Sequence, residues 1–273
     1  MTIDTPAVVN RARSFVGLSG PDALAFLDRM VSNDVAALST GESCQALLLT
    51  PKGRVIAPLV VVRRAGDDFL LLTERELGSV VRDALRRSRL AAQVEITLEE
   101  HRSYVLLGRG PDPPVGLAVP NAEFGLPGLE VIDGDLPDQG SLSDAEAKRL
   151  RIEAATPWFG HEIDERVLPA EAGIVEQFVS FTKGCYPGQE PIARLHYRGH
   201  ANRGLRLLRI EADAPPEADA ELMCDGKVVG RITSAVARED DVVALAYVRV
   251  EVPDGAPLRV GDAHASMISP RRP

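Results

Sequence analysis

Eight consecutive residues, 183–190, concentrate reactive side chains in the sequence KGCYPGQE. They include an amine, a thiol, an amide and a carboxylate, carried by Lys183, Cys185, Gln189 and Glu190. The two glycines and the proline of this segment favour turns and argue against a regular helix. Because binding and catalytic residues are concentrated on positioned loops, the segment is the first candidate for a functional site.

The thiol of Cys185 has two interpretations. A free cysteine is often a small buried apolar residue without reactivity. The amine of Lys183 and the glycine-shaped amides nearby would instead favour the thiolate, which is the nucleophilic form. A lysine is usually a surface cation, but its place in this segment suggests contact with an anion. The residue types alone leave both interpretations open, and Cys185 and Lys183 are the candidate catalytic residues.

Composition and charge limit the classes of protein to which the chain can belong. Its 273 residues carry a formal net charge of −9, which argues against broad nucleic-acid binding. The three cysteines form no C-x-x-C pair, so we expect neither a disulfide framework nor a structural zinc site. No run approaches the roughly 20 apolar residues of a membrane helix. We expect a cytoplasmic protein without membrane contact, permanently bound metal or direct binding to nucleic acid.

One stretch departs from this acidic character. Residues 194–209 are rich in arginine and contain no acidic residue. Most charge runs are solvated faces, but arginines such as Arg198 could also hold an anionic ligand or the acidic surface of a partner. His196 and His200 are four residues apart, yet Gly199 and a strand-like context argue against a helix and against a metal site there.

The elements that must position these residues are predicted from hydrophobic periodicity. Helices and antiparallel strands in mixed order indicate an α+β fold. Short β-like runs from about residue 204 predict a small C-terminal β-barrel or sandwich. Residues 108–128 are predicted to be a connector. The predicted helices cover residues 22–31, 77–88 and 143–154, the last with a capping-box pattern, and the predicted strands cover 45–49, 55–62, 69–73, 94–98 and 104–107.

Several stretches of the chain together resemble the YgfZ family, which is related to the glycine cleavage T-protein, an aminomethyltransferase. The family signature matches KGCY followed, after one residue, by GQE, at 183–190. The supporting matches are VSNDV at 31–35, LTPKGRV at 49–55, LPAEAG at 168–173 and, more weakly, VGRITS at 229–234. These matches span nearly the whole chain.

The resemblance implies a T-protein-like α+β fold. Ferredoxin-like layers would surround a central hole of folate size and would be followed by a C-terminal β-barrel. The folate-binding region would cover residues 1–200, with one layer inserted at roughly 45–100, and the barrel would cover 201–273.

The resemblance also implies a function. The chain would be a folate-binding accessory protein for the assembly or maintenance of iron–sulfur enzymes, including one that methylthiolates tRNA. Tetrahydrofolate would be its cofactor, and iron–sulfur client or assembly proteins its transient partners. Cys185 would act as a nucleophile, a redox thiol or a transient cluster ligand. Because such clusters usually take about four ligands, a lone thiol would need ligands from another molecule.

The same resemblance implies a set of folate-binding residues. Gln189 and Glu190 could match the donor–acceptor edge of the pterin or simply hold loop amides. Arg151 corresponds to an arginine near folate in T-proteins, or it pairs with Glu153 or Glu146 on the helix surface. The implied set is Gly188, Gln189, Glu190, Tyr186, Arg151 and Arg198.

Two residues of a turn-rich stretch carry open interpretations. Trp158 is either a core residue or one wall of a pterin slot, and aromatic residues are scarce in this chain, at 4%. Glu162 is interpreted as a turn acid.

The alternative function is folate-dependent transfer of an aminomethyl or other one-carbon group, so enzyme activity stays open. T-proteins carry a pair of Asp residues on the strand after a Gly-rich turn, and one of these carboxylates is central to their chemistry. Here Ala57 and Pro58 stand at that place, and neither side chain can hold a charge. The sequence therefore favours the accessory role.

Overall fold

The structure, a computed structural model, describes residues 7–108, 116–135 and 140–271. The strands are β1 (Ala7–Asn10), β2 (Arg13–Ser19), β3 (Ser43–Leu49), β4 (Val55–Ala65), β5 (Asp68–Glu74), β6 (Glu95–Glu99), β7 (Ser103–Leu107), β8 (Leu117–Asn121), β9 (Gly128–Ile132), β10 (Arg203–Ile210), β11 (Glu221–Cys224), β12 (Lys227–Ala237), β13 (Val242–Arg249), β14 (Leu258–Val260) and β15 (Ala263–Ile268). The helices are α1 (Ala23–Met30), α2 (Gly78–Ser88), α3 (Asp144–Glu153), α4 (Pro169–Ala172), α5 (Val175–Phe178) and α6 (Gln189–Arg198).

The first sheet is antiparallel, with the strand order β3-β4-β5-β2-β6. Successive side chains of a strand point to opposite faces, so the continuous apolar runs of β4 and β5 supply two buried faces. On one face, Leu59 and Leu71 pack with Leu27 of α1 and Val81 of α2. Two of the three predicted helices thus cover this sheet from one side.

The opposite face of the first sheet has two neighbours. Leu70 packs with Ile132 of a second antiparallel sheet, whose strand order is β1-β7-β9-β8. Leu49, at the β3 side, packs instead with Tyr186 and Ile192. The segment that carries the candidate reactive residues is therefore fixed to the first sheet by apolar contacts.

The C-terminal region forms a closed six-stranded barrel with the order β10-β13-β12-β11-β14-β15. Strand β10 pairs with both β13 and β15, which closes the sheet and removes unpaired edges. Leu208, Ile232 and Ala244 fill the interior. The outer surface contacts α3, where Ile152 packs with Leu245. The predicted α+β fold with a C-terminal β-barrel is confirmed.

Two local predictions have different outcomes. The capping box at the start of α3 is confirmed, because Ser143 and Glu146 exchange both of its hydrogen bonds. The predicted connector at 108–128 is wrong in part, since β8 lies within it. Residues 109–115 of that connector lie outside the described residues. Pro120 is a turn signal in the sequence. Among the described residues, however, β8 is an edge strand that pairs with β9 alone, and an edge strand tolerates proline.

Among the described residues, no helix combines the length and the apolar character that crossing a membrane requires.

Candidate functional site

Residues 183–188, which we call the thiol loop, lead directly into α6. Cys185 is exposed, whereas the next residue, Tyr186, is buried with Leu49 and Val55. The prediction that a regular helix does not cover the segment is confirmed for the thiol loop, and Gln189 begins α6. A thiol therefore stands at the surface on a loop whose neighbouring residue is held in the core.

The ammonium of Lys183 is enclosed by protein oxygens. Its Nζ donates to the carboxylate and the carbonyl of Asp28 and to the carbonyls of Val31 and Asn33, at 2.5–3.1 Å. The side chain is only 1% exposed. Because three N–H groups meet four acceptors, none remains for the sulfur of Cys185 or for a folate carboxylate. We interpret Lys183 as a positioning residue instead of the catalytic amine suggested by the sequence.

The loop after α1, which supplies these oxygens, also binds the chain that precedes the thiol loop. The hydroxyl of Ser32 donates to the carbonyl of Phe178 at 2.6 Å, and the amide of Ser180 donates to the carbonyl of Ser32 at 3.0 Å. Asn33 donates through Nδ2 to the carbonyl of Gln177 at 3.2 Å. The VSNDV stretch of the sequence thus anchors the entry to the thiol loop.

The other end of the thiol loop is fixed by a contact between two glycines. Gly188 has φ 82° and directly precedes α6. A Cβ atom at Gly188 would lie 2.5 Å from the carbonyl oxygen of Thr50 and 3.0 Å from the Cα of Gly53. Only glycine permits both this dihedral and this approach. The LTPKGRV and GQE motifs therefore meet in space, and the predicted Gly188 has a structural reason to be glycine.

Replacing Lys183 with methionine tests the positioning role. Methionine keeps an unbranched apolar stem that ends one atom earlier, while four acceptors lose their charged donor. We therefore expect the free energy of unfolding to fall by about 1.5–3 kcal/mol. Amide hydrogen exchange across residues 180–188 should accelerate by about tenfold or more, because that loss frees the loop locally. The matched control is Lys52→Met, on the exposed turn that touches Gly188. Exchange as slow in Lys183→Met as in the unmodified chain would contradict the positioning role.

Arg151 lies on α3 but not at the surface. Its guanidinium donates to the carboxylate of Glu162 at 2.6 Å and to the hydroxyl of Ser234 at 2.9 Å, and the side chain is 1% exposed. The alternative prediction of surface pairing with Glu153 or Glu146 is therefore wrong. The Nε atom has no partner among the described residues. The folate contact predicted for Arg151 would have to use this atom or the second N–H of Nη2.

Glu162 is a central acceptor that sequence reasoning missed. Its Oε1 accepts from the hydroxyls of Thr233 at 3.0 Å and Ser234 at 2.6 Å, and its Oε2 accepts from the amide of Trp158 at 3.0 Å besides the guanidinium. Its carbonyl accepts from the hydroxyl of Tyr247 at 2.8 Å. The carboxylate is fully buried. This residue joins α3, the turn after it and barrel strands β12 and β13, so the turn-acid interpretation is wrong.

Four of the predicted ligand-binding side chains have no hydrogen-bond partner within the described structure. The hydroxyl of Tyr186 is buried without one, and burial raises its pKa to about 12, so it stays protonated as a donor. Gln189 is half-buried and Glu190 is exposed, both on the first turn of α6. Arg198 is exposed at the other end of α6, about 13 Å away at 1.5 Å per residue. The structure thus brings the first three together and separates Arg198 from them.

Two guanidinium groups lie close to the ring of Trp158. The Cζ atoms of Arg11 and Arg151 lie 4.2 Å and 4.8 Å from its ring centroid, and Phe124 meets it edge-on. The ring packs partly against the apolar cluster of the second sheet. Its indole N–H is buried and has no partner among the described residues.

The histidines of the arginine-rich stretch have a different setting from the predicted one. His196 lies inside α6 and stacks on the ring of Phe181, with centroids 4.0 Å apart. The strand-like context predicted here is wrong, because Gly199 ends a helix instead of interrupting a strand. Across the parts of the chain that the structure describes, no three His, Cys, Asp or Glu side chains are arranged to hold a metal ion.

Comparisons with known proteins match this architecture. The GCVT N-terminal domain family matches residues 13–112, and the CAF17 C-terminal beta-barrel domain family matches residues 199–273. The tRNA-modifying protein YgfZ of Klebsiella pneumoniae is 28% identical over 261 residues, covering 82% of this chain and 78% of the relative. An aminomethyltransferase of Koribacter versatilis is 23% identical, covering 86% of this chain and 74% of that protein.

A solved structure matches the fold along nearly the whole chain. The glycine cleavage system aminomethyltransferase T from Bartonella henselae superposes with a TM-score of 0.82 at 19% identity, covering 98% of this chain and 87% of that chain. The T-protein-like fold predicted from the sequence is confirmed.

Proposed function

We propose that the chain is a folate-binding accessory protein for iron–sulfur enzymes, a YgfZ-type role supported by its glycine cleavage T-protein-like fold, its CAF17-type barrel and its YgfZ relatives. Its YgfZ relatives are named tRNA-modifying proteins. We place the link to tRNA in a client enzyme that methylthiolates tRNA. The observation that carries the proposal is an exposed Cys185 on a loop anchored at both ends, beside polar groups that have no partner among the described residues.

The residues that follow Cys185 fit tetrahydrofolate. A pterin presents alternating donors and acceptors along one edge, and a carboxylate, an amide and a hydroxyl can match such an edge. The carboxylate of Glu190, the amide of Gln189 and the hydroxyl of Tyr186 are the groups available here. When bound, tetrahydrofolate would supply a carrier for a one-carbon group.

Cys185 is the cysteine best placed to act on another molecule. It is exposed, whereas Cys44 and Cys224 are partly buried. Burial raises the pKa of Cys44 to about 12, so this second thiol stays protonated. A single exposed thiolate can serve as one ligand of an iron–sulfur species while a client or assembly protein supplies the others. The proposed role therefore requires a transient complex with a client or assembly protein, and it does not require a metal bound permanently to this chain.

Titration with tetrahydrofolate by calorimetry tests the folate part of the proposal. We expect saturable binding to the unmodified chain and about tenfold or greater weakening in Glu190→Ala, because a charged hydrogen bond is worth about 1.5–3 kcal/mol. The matched control is Glu165→Ala, an exposed carboxylate outside the thiol loop and α6, which should bind as the unmodified chain does. Absence of binding to the unmodified chain would contradict the folate role. Equal binding by Glu190→Ala would contradict this placement of the ligand.

Aminomethyl transfer is the second candidate, because two relatives, of Koribacter versatilis and Streptomyces avermitilis, are named aminomethyltransferases. Ala57 is buried in β4, and Pro58 contributes only a carbonyl, which accepts from the hydroxyl of Thr73 at 2.9 Å. No carboxylate therefore stands at the position that T-proteins use. Formation of methylene-tetrahydrofolate from a methylated amine would favour the transferase over the accessory role.

A further inference from the structure

We propose that the outer side of α6 is a docking surface for an acidic segment of a partner protein. Arg194, Tyr197 and Arg198 form this surface, which we call the α6 face. The inference rests on the proposed function in one respect, which is the identity of the partner. Because the thiol loop leads directly into α6, we take the partner to be the client or assembly protein on which Cys185 acts.

The α6 face carries positive charge that nothing in the described structure neutralises. Arg194 and Arg198 are exposed and form no hydrogen bond or ion pair with any described residue. Arg64 and Arg203 each bind a carboxylate, whereas Arg75 is exposed and likewise has no side-chain partner among the described residues. What distinguishes Arg194 and Arg198 is that they lie one turn apart on one face of α6, beside an exposed aromatic ring, in a chain whose net charge is −9. Unpaired arginines one helical turn apart are suited to carboxylates, which they bind bidentately.

An exposed aromatic ring lies between the two arginines and is held in place. Tyr197 is 67% exposed, yet its ring meets Phe181 edge-on at 5.7 Å and His196 at 4.8 Å. His196 is itself stacked on Phe181. A ring supported in this way loses little conformational entropy when a partner covers it. Tyrosine and arginine are also the side chains that most often dominate binding energy at protein interfaces.

The spacing of the α6 face fits a protein partner better than a nucleic acid. A duplex is usually held through about 6–10 phosphate contacts, whereas this surface offers two guanidinium groups on one short helix. The acidic remainder of the chain would repel a long polyanion. Glu190, one turn before Arg194, forms no ion pair with it in the described structure and limits the positive surface on the side of the thiol loop. An acidic segment with one apolar side chain would satisfy both arginines and cover Tyr197.

Fluorescence anisotropy with synthetic probes tests the proposal. The probe is a short labelled peptide rich in Asp and Glu with one leucine, and the comparison peptide carries Asn and Gln at the acidic positions. We expect the acidic peptide to bind the unmodified chain more weakly as salt rises, and to bind Arg194→Glu/Arg198→Glu at least about tenfold more weakly. Tyr197→Ala should weaken binding without changing the salt dependence. The control Arg75→Glu/Arg87→Glu makes the same charge change at exposed arginines near α2, and it should bind normally.

Each other outcome would overturn the docking surface. Equal loss in the control pair would mean that net charge decides binding and not the α6 face. Preference for a single-stranded RNA of matched charge would assign the surface to nucleic acid. Displacement of the peptide by tetrahydrofolate would assign it to the folate. The titration with tetrahydrofolate measures folate binding and does not depend on the peptide. A protein that binds folate but not the acidic peptide would therefore contradict the docking surface and leave the proposed function standing.

Discussion

Replacing Glu162 with alanine is expected to lower the free energy of unfolding by about 3–5 kcal/mol, because the change leaves the buried guanidinium of Arg151 without its carboxylate. The hydroxyl of Ser234 loses its acceptor at the same time, and that of Thr233 keeps only the carbonyl of Leu245. These groups lie where α3 and the barrel meet. The barrel should therefore be held less firmly against the rest of the chain.

Urea denaturation followed by two probes measures this effect. Circular dichroism reports the whole chain, and tryptophan fluorescence reports Trp158, the single tryptophan, whose amide binds the Glu162 carboxylate. The control Glu165→Ala removes an exposed carboxylate nearby and should change stability by no more than about 0.5 kcal/mol. Equal urea midpoints for Glu162→Ala and Glu165→Ala would contradict the assigned role.

A double variant separates the charge from the packing. Replacing Arg151 and Glu162 together with methionine removes both charges, and a buried ion pair often exchanges for apolar side chains at little cost. We therefore expect the double variant to be more stable than Glu162→Ala. If the effects of Arg151→Met and Glu162→Met on the free energy of unfolding simply added up in the double variant, the guanidinium and the carboxylate would not act as a pair.

The second large effect concerns function and not stability: Cys185→Ala should abolish activity in cells while leaving the fold intact. The thiol is exposed and contributes no contact to a core cluster, so its loss should cost no more than about 0.5 kcal/mol. Tetrahydrofolate affinity should be nearly unchanged, because the groups that fit the ligand lie on the residues that follow. Cys224→Ala is the matched control, since it removes another free thiol on the barrel.

Local patterns in the sequence were sufficient for much of the fold. The helices α1, α2 and α3 and most strands follow from apolar periodicity, and the capping box of α3 is visible in Ser143 and Glu146. The thiol loop was also found from residue types alone, because an amine, a thiol and two glycines rarely stand so close together. Strand β8 was missed because Pro120 gives a turn signal that only an edge position explains.

Partnerships across long sequence distances could not be predicted. Lys183 binds oxygens about 150 residues earlier in the chain, and nothing in the KGCY motif indicates that its amine is buried. Glu162 reaches Ser234 in the same way.

A further long-range network surrounds Glu123. Burial alone would raise the pKa of Glu123, but the guanidinium groups of Arg13 and Arg11 hold this pKa at about 2. Such networks depend on which elements pack together, and a periodic pattern carries no information on that.

The central claim is that Cys185 is the reactive group of a YgfZ-type accessory protein. Its most direct test is the fraction of methylthiolated nucleosides in tRNA, measured by mass spectrometry in a bacterial host that lacks its own YgfZ gene. The unmodified chain and Cys224→Ala should restore methylthiolation, and Cys185→Ala, present at equal protein level, should leave it as low as an empty vector does. Restoration by Cys185→Ala to the level of the unmodified chain would contradict the claim.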